Sequence, residues 1–241
     1  MSTRQVFALC DLDSFYASCE RLFDPTLRGR PVVVASNNDG CAVARSKEAK
    51  ALGIKMGQPI FELKEHVRRH GLVVCSSNYA LYGDLSFRFM QTLESCAPRV
   101  MPYSIDEAFL DLTGIDNVVS FDEFGHQVKD LVKQWIGLPI CVGIAPSPTL
   151  AKLANHAAKK YPATRGVVDL TDRERQRRLL NLVEAGDIWG IGSKLKKRLE
   201  ELGITTGLQL ADADPKWIRK HFSVVVERTV RELNGVPCHE D

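Results

Sequence analysis

In the first two thirds of the chain, apolar residues form either short uninterrupted runs or segments with helical spacing. Residues 6–10 are a continuous apolar run followed by Asp11, a pattern typical of a buried central strand that delivers an acid at its end. Residues 105–112 and 139–145 predict two more strands, the first of which carries several acids. We expect these three strands to form one sheet.

Two segments between these strands have the apolar spacing of helices that cover one face of a sheet. Their apolar positions are Leu81, Leu85, Phe89 and Leu93, then Phe124, Val128, Leu131, Val132 and Trp135. A third helix is predicted for residues 148–160, where Lys152, Lys159 and Lys160 are left to solvent or to a ligand. The alternation of strands and helices predicts an α+β or α/β first domain.

Two other regions differ from this pattern. Residues 24–78 are rich in turn residues and basic residues, and residues 36–40 have the composition of a hairpin turn between two apolar runs. This region is interpreted as an inserted subdomain. From residue 169 onward the pattern is helical, with Asp214 as an N-cap, Pro215 at the first helical position and Gly235 as a stop signal.

Composition narrows the class of protein. The chain has 241 residues, of which 44% are hydrophobic and 26% charged, enough to form two or three globular cores. A net charge of +2 does not by itself indicate a nucleic-acid partner. No apolar run is long enough to cross a bilayer and residues 1–5 do not resemble a secretory signal, so we expect a cytoplasmic protein without membrane contact.

Cysteine and histidine do not indicate a zinc site. The seven cysteines are an odd number and none forms a Cys-x-x-Cys pair, which also argues against a disulfide framework. His66 and His70 have the spacing of two ligands on one helix, yet no second pair accompanies them, and a solvated helix face is the better interpretation.

Five acids lie in or beside the predicted strands: Asp11, Asp13, Asp106, Glu107 and Asp111. Taken singly, each is best interpreted as an edge acid facing solvent. Together, and with lysines on a later helix, they suit Mg²⁺, and two such ions would support phosphoryl transfer. Because neighbouring strand residues point to opposite faces, Asp106 and Glu107 can share a site only where the strand bends.

Residues 10–20 and 103–111 resemble the paired signatures of Y-family DNA polymerases, the lesion-bypass class. Residues 36–41, 151–160 and 189–192 resemble the polymerase V branch of that family. The resemblance covers nearly the whole chain and implies error-prone, template-directed DNA synthesis from dNTPs. It implies an α+β right-hand fold, with a palm (1–14 and 81–168), small fingers (15–80) and a helical thumb (169–241), and a chain that stops before the little-finger domain.

The same resemblance assigns the metal site. Asp11, Asp106 and Glu107 would be the catalytic carboxylates for two Mg²⁺ ions, joined by the backbone carbonyl of Leu12, while Asp13 and Asp111 fall outside the set. Tyr16 would be the steric gate that excludes a 2′-hydroxyl. Without the resemblance, Tyr16 would be interpreted as a core aromatic.

The resemblance also implies a binding site for the nucleotide. Lys50 and Lys159 would neutralise the triphosphate, and Val43 would roof the nascent base pair. Taken alone, the two lysines would be solvated and the valine would be a core residue. Lys47 departs from the pattern, since many relatives carry a phosphate-binding tyrosine there.

Residues 188–198 have the pattern of a helix-hairpin-helix that meets DNA phosphates through Gly190, Gly192, Lys194, Lys196 and Lys197. An ordinary helix cap with a solvated basic face is the alternative. By resemblance the partners would be primed template DNA, dNTPs and accessory polymerase V subunits. The other function classes are a DNA-binding module without catalysis and a nucleotide cyclase, which would not need a thumb.

Overall fold

The structure, a computed structural model, describes residues 4–238. The first three residues of the predicted palm and the last three of the predicted thumb therefore lie outside the described residues. Within them the strands are β1 (Phe7–Leu12), β2 (Val32–Ala35), β3 (Ala42–Arg45), β4 (Val73–Ser76), β5 (Val100–Pro102), β6 (Glu107–Asp111), β7 (Ile140–Ala145) and β8 (Val167–Asp169).

The α-helices of the same residues alternate with the strands and then follow them. They are α1 (Phe15–Phe23), α2 (Lys47–Ala51), α3 (Lys64–His70), α4 (Tyr79–Glu94), α5 (Phe121–Ile136), α6 (Pro148–Lys160), α7 (Arg173–Leu182), α8 (Ser193–Glu201), α9 (Gly207–Ala211), α10 (Pro215–His221) and α11 (Val224–Leu233). The fold is α+β, as predicted. None of the helices within residues 4–238 is both long and apolar enough to cross a bilayer.

A five-stranded sheet with the order β5-β6-β1-β7-β8 forms the centre of the fold. β1 is antiparallel to both β6 and β7, and these are the three strands that the apolar runs predict. β1 extends through Asp11 to Leu12, so the first acid lies within the strand, directly opposite Glu107 on β6.

The two faces of this sheet are buried by different helices. Alternate β1 residues such as Ala8 and Cys10 share a core with α4 and α5, whereas Leu9 shares a core with α6 and the C-terminal helices. Gly143 on β7 allows α6 to lie close, since a Cβ there would lie 2.3 Å from the backbone nitrogen of Asn155.

One predicted core position on α5 is wrong. Trp135 is 59% exposed, and Ile136 is buried instead. The buried stripe of this helix runs through Phe124, Val128 and Val132 at steps of four residues, and the next step along it falls on position 136.

A smaller three-stranded sheet, with the order β3-β2-β4, is formed by the region interpreted as an insertion. β2 and β3 are antiparallel neighbours on either side of the predicted turn at residues 36–40, which confirms the hairpin. This sheet has its own core of six buried residues: Val33, Ala42, Ala49, Ile54, Leu63 and Leu72. This core is separate from the two cores on the faces of the central sheet.

The C-terminal helices α7–α11 pack onto α6 and complete the core on that face of the central sheet. Asp214 caps α10 by accepting from the backbone of Lys216 and Trp217, as predicted. A fully buried carboxylate, Glu232 on α11, accepts hydrogen bonds from the backbone nitrogen of Thr149 at 3.0 Å and from its Oγ1 at 2.9 Å. These bonds tie the last helix to the first turn of α6.

Candidate active site

Strand pairing brings the predicted carboxylates together. Asp11 lies two residues after Leu9 and Glu107 lies two residues before Phe109, so both side chains lie on the face that α6 covers. Asp106 immediately precedes β6, and its backbone oxygen accepts a hydrogen bond from the Leu12 nitrogen at 2.9 Å. The edge where β1 and β6 meet therefore carries all three acids.

The backbone bends at residues 104–106, so the adjacent acids Asp106 and Glu107 do not follow the alternation of a straight strand. The Ser104 hydroxyl lies 2.7 Å from Asp106 Oδ1 and 3.3 Å from Glu107 Oε2, so both carboxylates are within reach of one donor. In a straight strand the two side chains would have pointed to opposite faces.

Helix α6 supplies a lysine to each of the two strand acids. Lys159 Nζ lies 2.7 Å from Asp11 Oδ2, and Lys152 Nζ lies 3.2 Å from Glu107 Oε1. The two lysines are seven residues apart and therefore lie on one face of the helix. The sequence left Lys152 to solvent or a ligand, and the structure pairs it with an acid.

The environment of Asp11 disfavours its charge. Burial raises the pKa of Asp11 from 3.8 to about 6, against the opposing effect of Lys159 and with a further rise from Glu107 and Asp106. Burial alone would lower the pKa of Lys159, but the neighbouring Asp11 and Asp13 raise it above its ordinary value. A positive charge beside Asp11 is therefore favoured.

A cavity of about 470 Å³ opens between the two sheets. It is lined by every residue predicted for catalysis or nucleotide binding: Asp11, Leu12, Tyr16, Val43, Lys50, Asp106, Glu107 and Lys159. The structure thus brings the whole predicted set to one place, while the role of each residue stays a prediction.

Arg45 also lines this cavity, and the sequence analysis missed it. Its Nη1 donates to the Ile54 carbonyl at 2.6 Å, and its buried Nε lacks a hydrogen-bond partner among the described residues. Burial lowers the pKa of Lys50, and the positive charges of Arg45 and Lys159 lower it further. The basic stretch at 45–50 was the available signal, whereas Lys47 is exposed and does not line the cavity.

Tyr16 packs against another aromatic ring and also lines the cavity, so its position fits both a core residue and a residue that contacts the nucleotide. Its ring stacks on Tyr82 with centroids 4.2 Å apart, and the buried Tyr82 hydroxyl donates to Glu20 Oε1 at 2.7 Å. Tyr16 also lines the cavity. Packing against Tyr82 thus fixes the position of a ring that the cavity exposes.

The two other strand acids make local contacts. Asp13 Oδ2 accepts a hydrogen bond from the Cys141 thiol at 3.4 Å, and burial raises the pKa of the Asp13 carboxyl. Asp111 caps the following turn through the backbone nitrogen and hydroxyl of Thr113. Neither lines the cavity.

The predicted hairpin turn of the thumb precedes α8. Gly190 has a φ of +88°, a conformation that favours glycine, and Gly192 is the N-cap residue of the helix. Lys194 and Lys197 are exposed, but Lys196 Nζ lies 2.5 Å from Glu184 Oε2. Lys196 is therefore already neutralised by an acid of the same domain.

The acids at this strand edge are candidate ligands for a metal ion. Within residues 4–238, no three His, Cys, Asp or Glu side chains are arranged as a ready metal cluster. The groups at the strand edge are carboxylate and carbonyl oxygens, which suit a hard cation such as Mg²⁺. The chemistry of the donors fits this ion, and lysine ammonium groups now contact two of the carboxylates.

The sequence pattern of the impB/mucB/samB family matches residues 10–156, a span that contains the last three residues of β1, most of α6 and every residue that lines the cavity except Lys159. The chain belongs to the impB/mucB/samB family. Among relatives of this chain, Protein UmuC of Salmonella typhimurium is 57% identical over 236 residues and Protein ImpB of the same organism is 55% identical over 235 residues. DNA polymerase IV 1 of Bacillus subtilis is 33% identical over 229 residues.

These alignments cover 98%, 97% and 94% of this chain, but 56%, 55% and 54% of the three relatives. The chain thus spans about half the length of the curated relatives it matches. The family match therefore applies to this half.

Solved structures agree with the family match. An insertion ternary complex of Dbh DNA polymerase has a TM-score of 0.81 at 27% identity, covering 98% of this chain and 69% of that one. A Y-family DNA polymerase chimera of Dbh and Dpo4 has a TM-score of 0.80 at 25% identity, with the same coverage of 98% and 69%. The resemblance to Y-family DNA polymerases is confirmed.

Proposed function

We propose that this chain carries the catalytic core of an error-prone, template-directed DNA polymerase for translesion synthesis. The reaction would join a dNTP to a primer 3′-hydroxyl and release pyrophosphate. One observation carries the proposal: Asp11 and Glu107 face each other across β1 and β6, beside Asp106, at the edge of a cavity that Tyr16 and three basic residues also line. The family membership and the names of the polymerase relatives support the same function.

Each cavity residue that the sequence predicted for catalysis or nucleotide binding has a role in this proposal. Two Mg²⁺ ions, held by Asp11, Asp106, Glu107 and the Leu12 carbonyl, would supply charge neutralisation for the attacking and leaving oxygens. Lys159 and Lys50 would bind the triphosphate and stabilise the negative charge that grows on the leaving group.

The remaining cavity residues would select the substrate. Tyr16, whose ring stacks on Tyr82, would exclude a 2′-hydroxyl by direct clash. Val43 would lie over the base pair, where its modest size leaves room.

The domain division follows from the same proposal. The palm would be residues 1–14 and 81–168, the fingers 15–80, and the thumb 169–241. Gly190, Gly192, Lys194 and Lys197 would contact DNA phosphates, and Lys196 would contribute less because it is paired with Glu184. Accessory polymerase V subunits and a cytoplasmic location belong to the proposal as well.

The test is incorporation of one nucleotide on a primed template at low salt, with Mg²⁺ or with EDTA. We expect extension that depends on Mg²⁺ and follows the template base. Cyclic-nucleotide formation without extension would instead support a cyclase. DNA binding without either product would support a DNA-binding module that lacks catalysis.

A further inference from the structure

Lys152 is held in a small enclosure at the junction of palm and thumb. Its Nζ lies 3.2 Å from Glu107 Oε1, and the side chains of this pair are only 17% and 19% exposed. The same Nζ lies 4.4 Å from the centre of the Tyr103 ring and 5.0 Å from that of the Trp189 ring. The ammonium group thus contacts one carboxylate and two aromatic faces at once.

The two rings are fixed relative to each other. Tyr103 and Trp189 meet edge to face with centroids 5.6 Å apart, and Tyr103 also contacts Phe109 on β6. Tyr103 lies between β5 and β6, whereas Trp189 immediately precedes the Gly190 turn. Because cation–π attraction strengthens as a site is desolvated, these rings hold the ammonium beside Glu107.

These contacts make the carboxylate of Glu107 less available to a metal ion. Its Oε1 is contacted by Lys152, and its Oε2 lies 3.3 Å from the Ser104 hydroxyl. Asp11 and Asp106 are nearby negative charges, so a positive charge at this position stabilises the cluster when no other cation is bound. The same positive charge opposes the entry of a divalent ion.

We infer that Lys152 is a resident counter-ion that competes with a divalent cation for Glu107, and that Tyr103 and Trp189 keep it in place. The inference rests on the proposed function only in taking Glu107 as a metal ligand. Lys152 is then a positioning residue, and its removal increases the affinity of the DNA-free chain for a divalent ion. A gain in affinity is informative because local unfolding would produce a loss.

The experiment measures binding of Mn²⁺, an oxygen-preferring ion, by the electron paramagnetic resonance signal of the free ion. Lys152→Met removes the charge and keeps the apolar stem, and it should lower the Kd for Mn²⁺ by about fivefold, as expected for the loss of a partly buried ion pair. Lys160→Met is the matched control, since it removes the same charge from the exposed end of α6. It should change the Kd by less than about twofold.

Tyr103→Leu tests the aromatic part of the enclosure. We expect it to lower the Kd by about twofold in the wild-type background, because a loosened ammonium competes less strongly. In the Lys152→Met background it should have no effect. An equal effect in both backgrounds would show that the ring does not act through Lys152 and would overturn that half of the inference.

Two outcomes separate this inference from the proposed function. If the wild-type chain binds Mn²⁺ and Asp106→Asn weakens that binding, the metal role of the carboxylates stands, and an unchanged or raised Kd in Lys152→Met overturns the counter-ion alone. If neither the wild-type chain nor Lys152→Met binds Mn²⁺, both fail. Urea unfolding of each variant verifies folding, and Lys152→Gln replaces Lys152→Met if the latter is unfolded.

Discussion

Replacing Asp11 with asparagine should stabilise the metal-free chain at neutral pH. Asp11 is only 8% exposed, and its pKa is raised to about 6 from 3.8, mainly by burial. Asparagine has nearly the same shape and keeps an acceptor for Lys159, but it carries no charge that must be desolvated. The same substitution removes a proposed metal ligand, so stability and activity should change in opposite directions.

The size of the effect follows from the pKa. A rise of about two units corresponds to about 3 kcal/mol, and this already includes the attraction of Lys159. A raised folded-state pKa means that the folded chain binds the proton more tightly than the unfolded chain. The contribution of Asp11 to stability is therefore fully present below about pH 4 and is lost as the pH rises through about 6.

The assay is urea unfolding with EDTA present, at about pH 4 and about pH 7.5, where the carboxyl is respectively protonated and ionised. We expect Asp11→Asn and wild type to have similar free energies of unfolding at the lower pH, and the variant to be more stable by about 3 kcal/mol at the higher pH. The other titrating groups are common to both chains and cancel in the difference.

Asp106→Asn is the matched control, because Asp106 belongs to the same cluster but is half-buried. It should change the unfolding free energy by less than about 1 kcal/mol at either pH. If Asp11→Asn were no more stable than wild type at the higher pH, or if its advantage were the same at both, desolvation of Asp11 would not be the dominant effect. Added Mg²⁺ should reduce the advantage, because only the wild type keeps the ligand.

Three further predictions concern the cavity, the lysines of α8 and the contact between α11 and α6. Tyr16→Ala should reduce the preference for dNTPs over rNTPs by about tenfold or more, since the clash with the 2′-hydroxyl is removed. Single-turnover incorporation of each substrate measures this preference. An unchanged preference would show that Tyr16 is only a core residue. Replacing Lys194 and Lys197 together with alanine should lower the salt slope of binding to primed DNA by about two units, whereas Lys196→Ala should lower it by less than about one because Glu184 already pairs with Lys196. Titrations of labelled DNA at several salt concentrations measure these slopes. Equal slopes in all variants would show that the DNA binds elsewhere. Glu232→Ala should lower the free energy of unfolding in urea by about 3 kcal/mol, because the buried donors of Thr149 lose their acceptor. A decrease below about 1 kcal/mol would show that this contact does not hold the last helix.

The central strands could be predicted because apolar residues dominate each of them, and their burial on both faces leaves little ambiguity. The predicted helix at residues 148–160 matches α6 at both ends, since Ser147 and Pro148 supply a capping residue and an N-terminal proline. The prediction that Trp135 is buried was wrong because helical spacing alone does not show whether a residue at the margin of the apolar stripe faces the core or solvent.

In the candidate site, too, positions along the chain could be predicted, whereas contacts between distant elements could not. Asp11, Asp106 and Glu107 could be found from their positions in strand sequence, and the resemblance gave them roles. The contact of Lys152 with Glu107 depends on how α6 crosses the sheet, which the sequence of neither element states. The burial of Arg45 against the Ile54 carbonyl likewise results from the folding of the smaller sheet.

The central claim is that the acids at the edge of β1 and β6 carry out nucleotidyl transfer. Incorporation of one dNTP on primed DNA in Mg²⁺, compared between Asp106→Asn and Asp111→Asn, tests it most directly because both acids flank the same strand. We expect Asp106→Asn to abolish incorporation while remaining folded, whereas Asp111→Asn, which keeps an oxygen that can accept from Thr113, should retain incorporation. Incorporation near the wild-type rate by Asp106→Asn would contradict the assignment of these carboxylates.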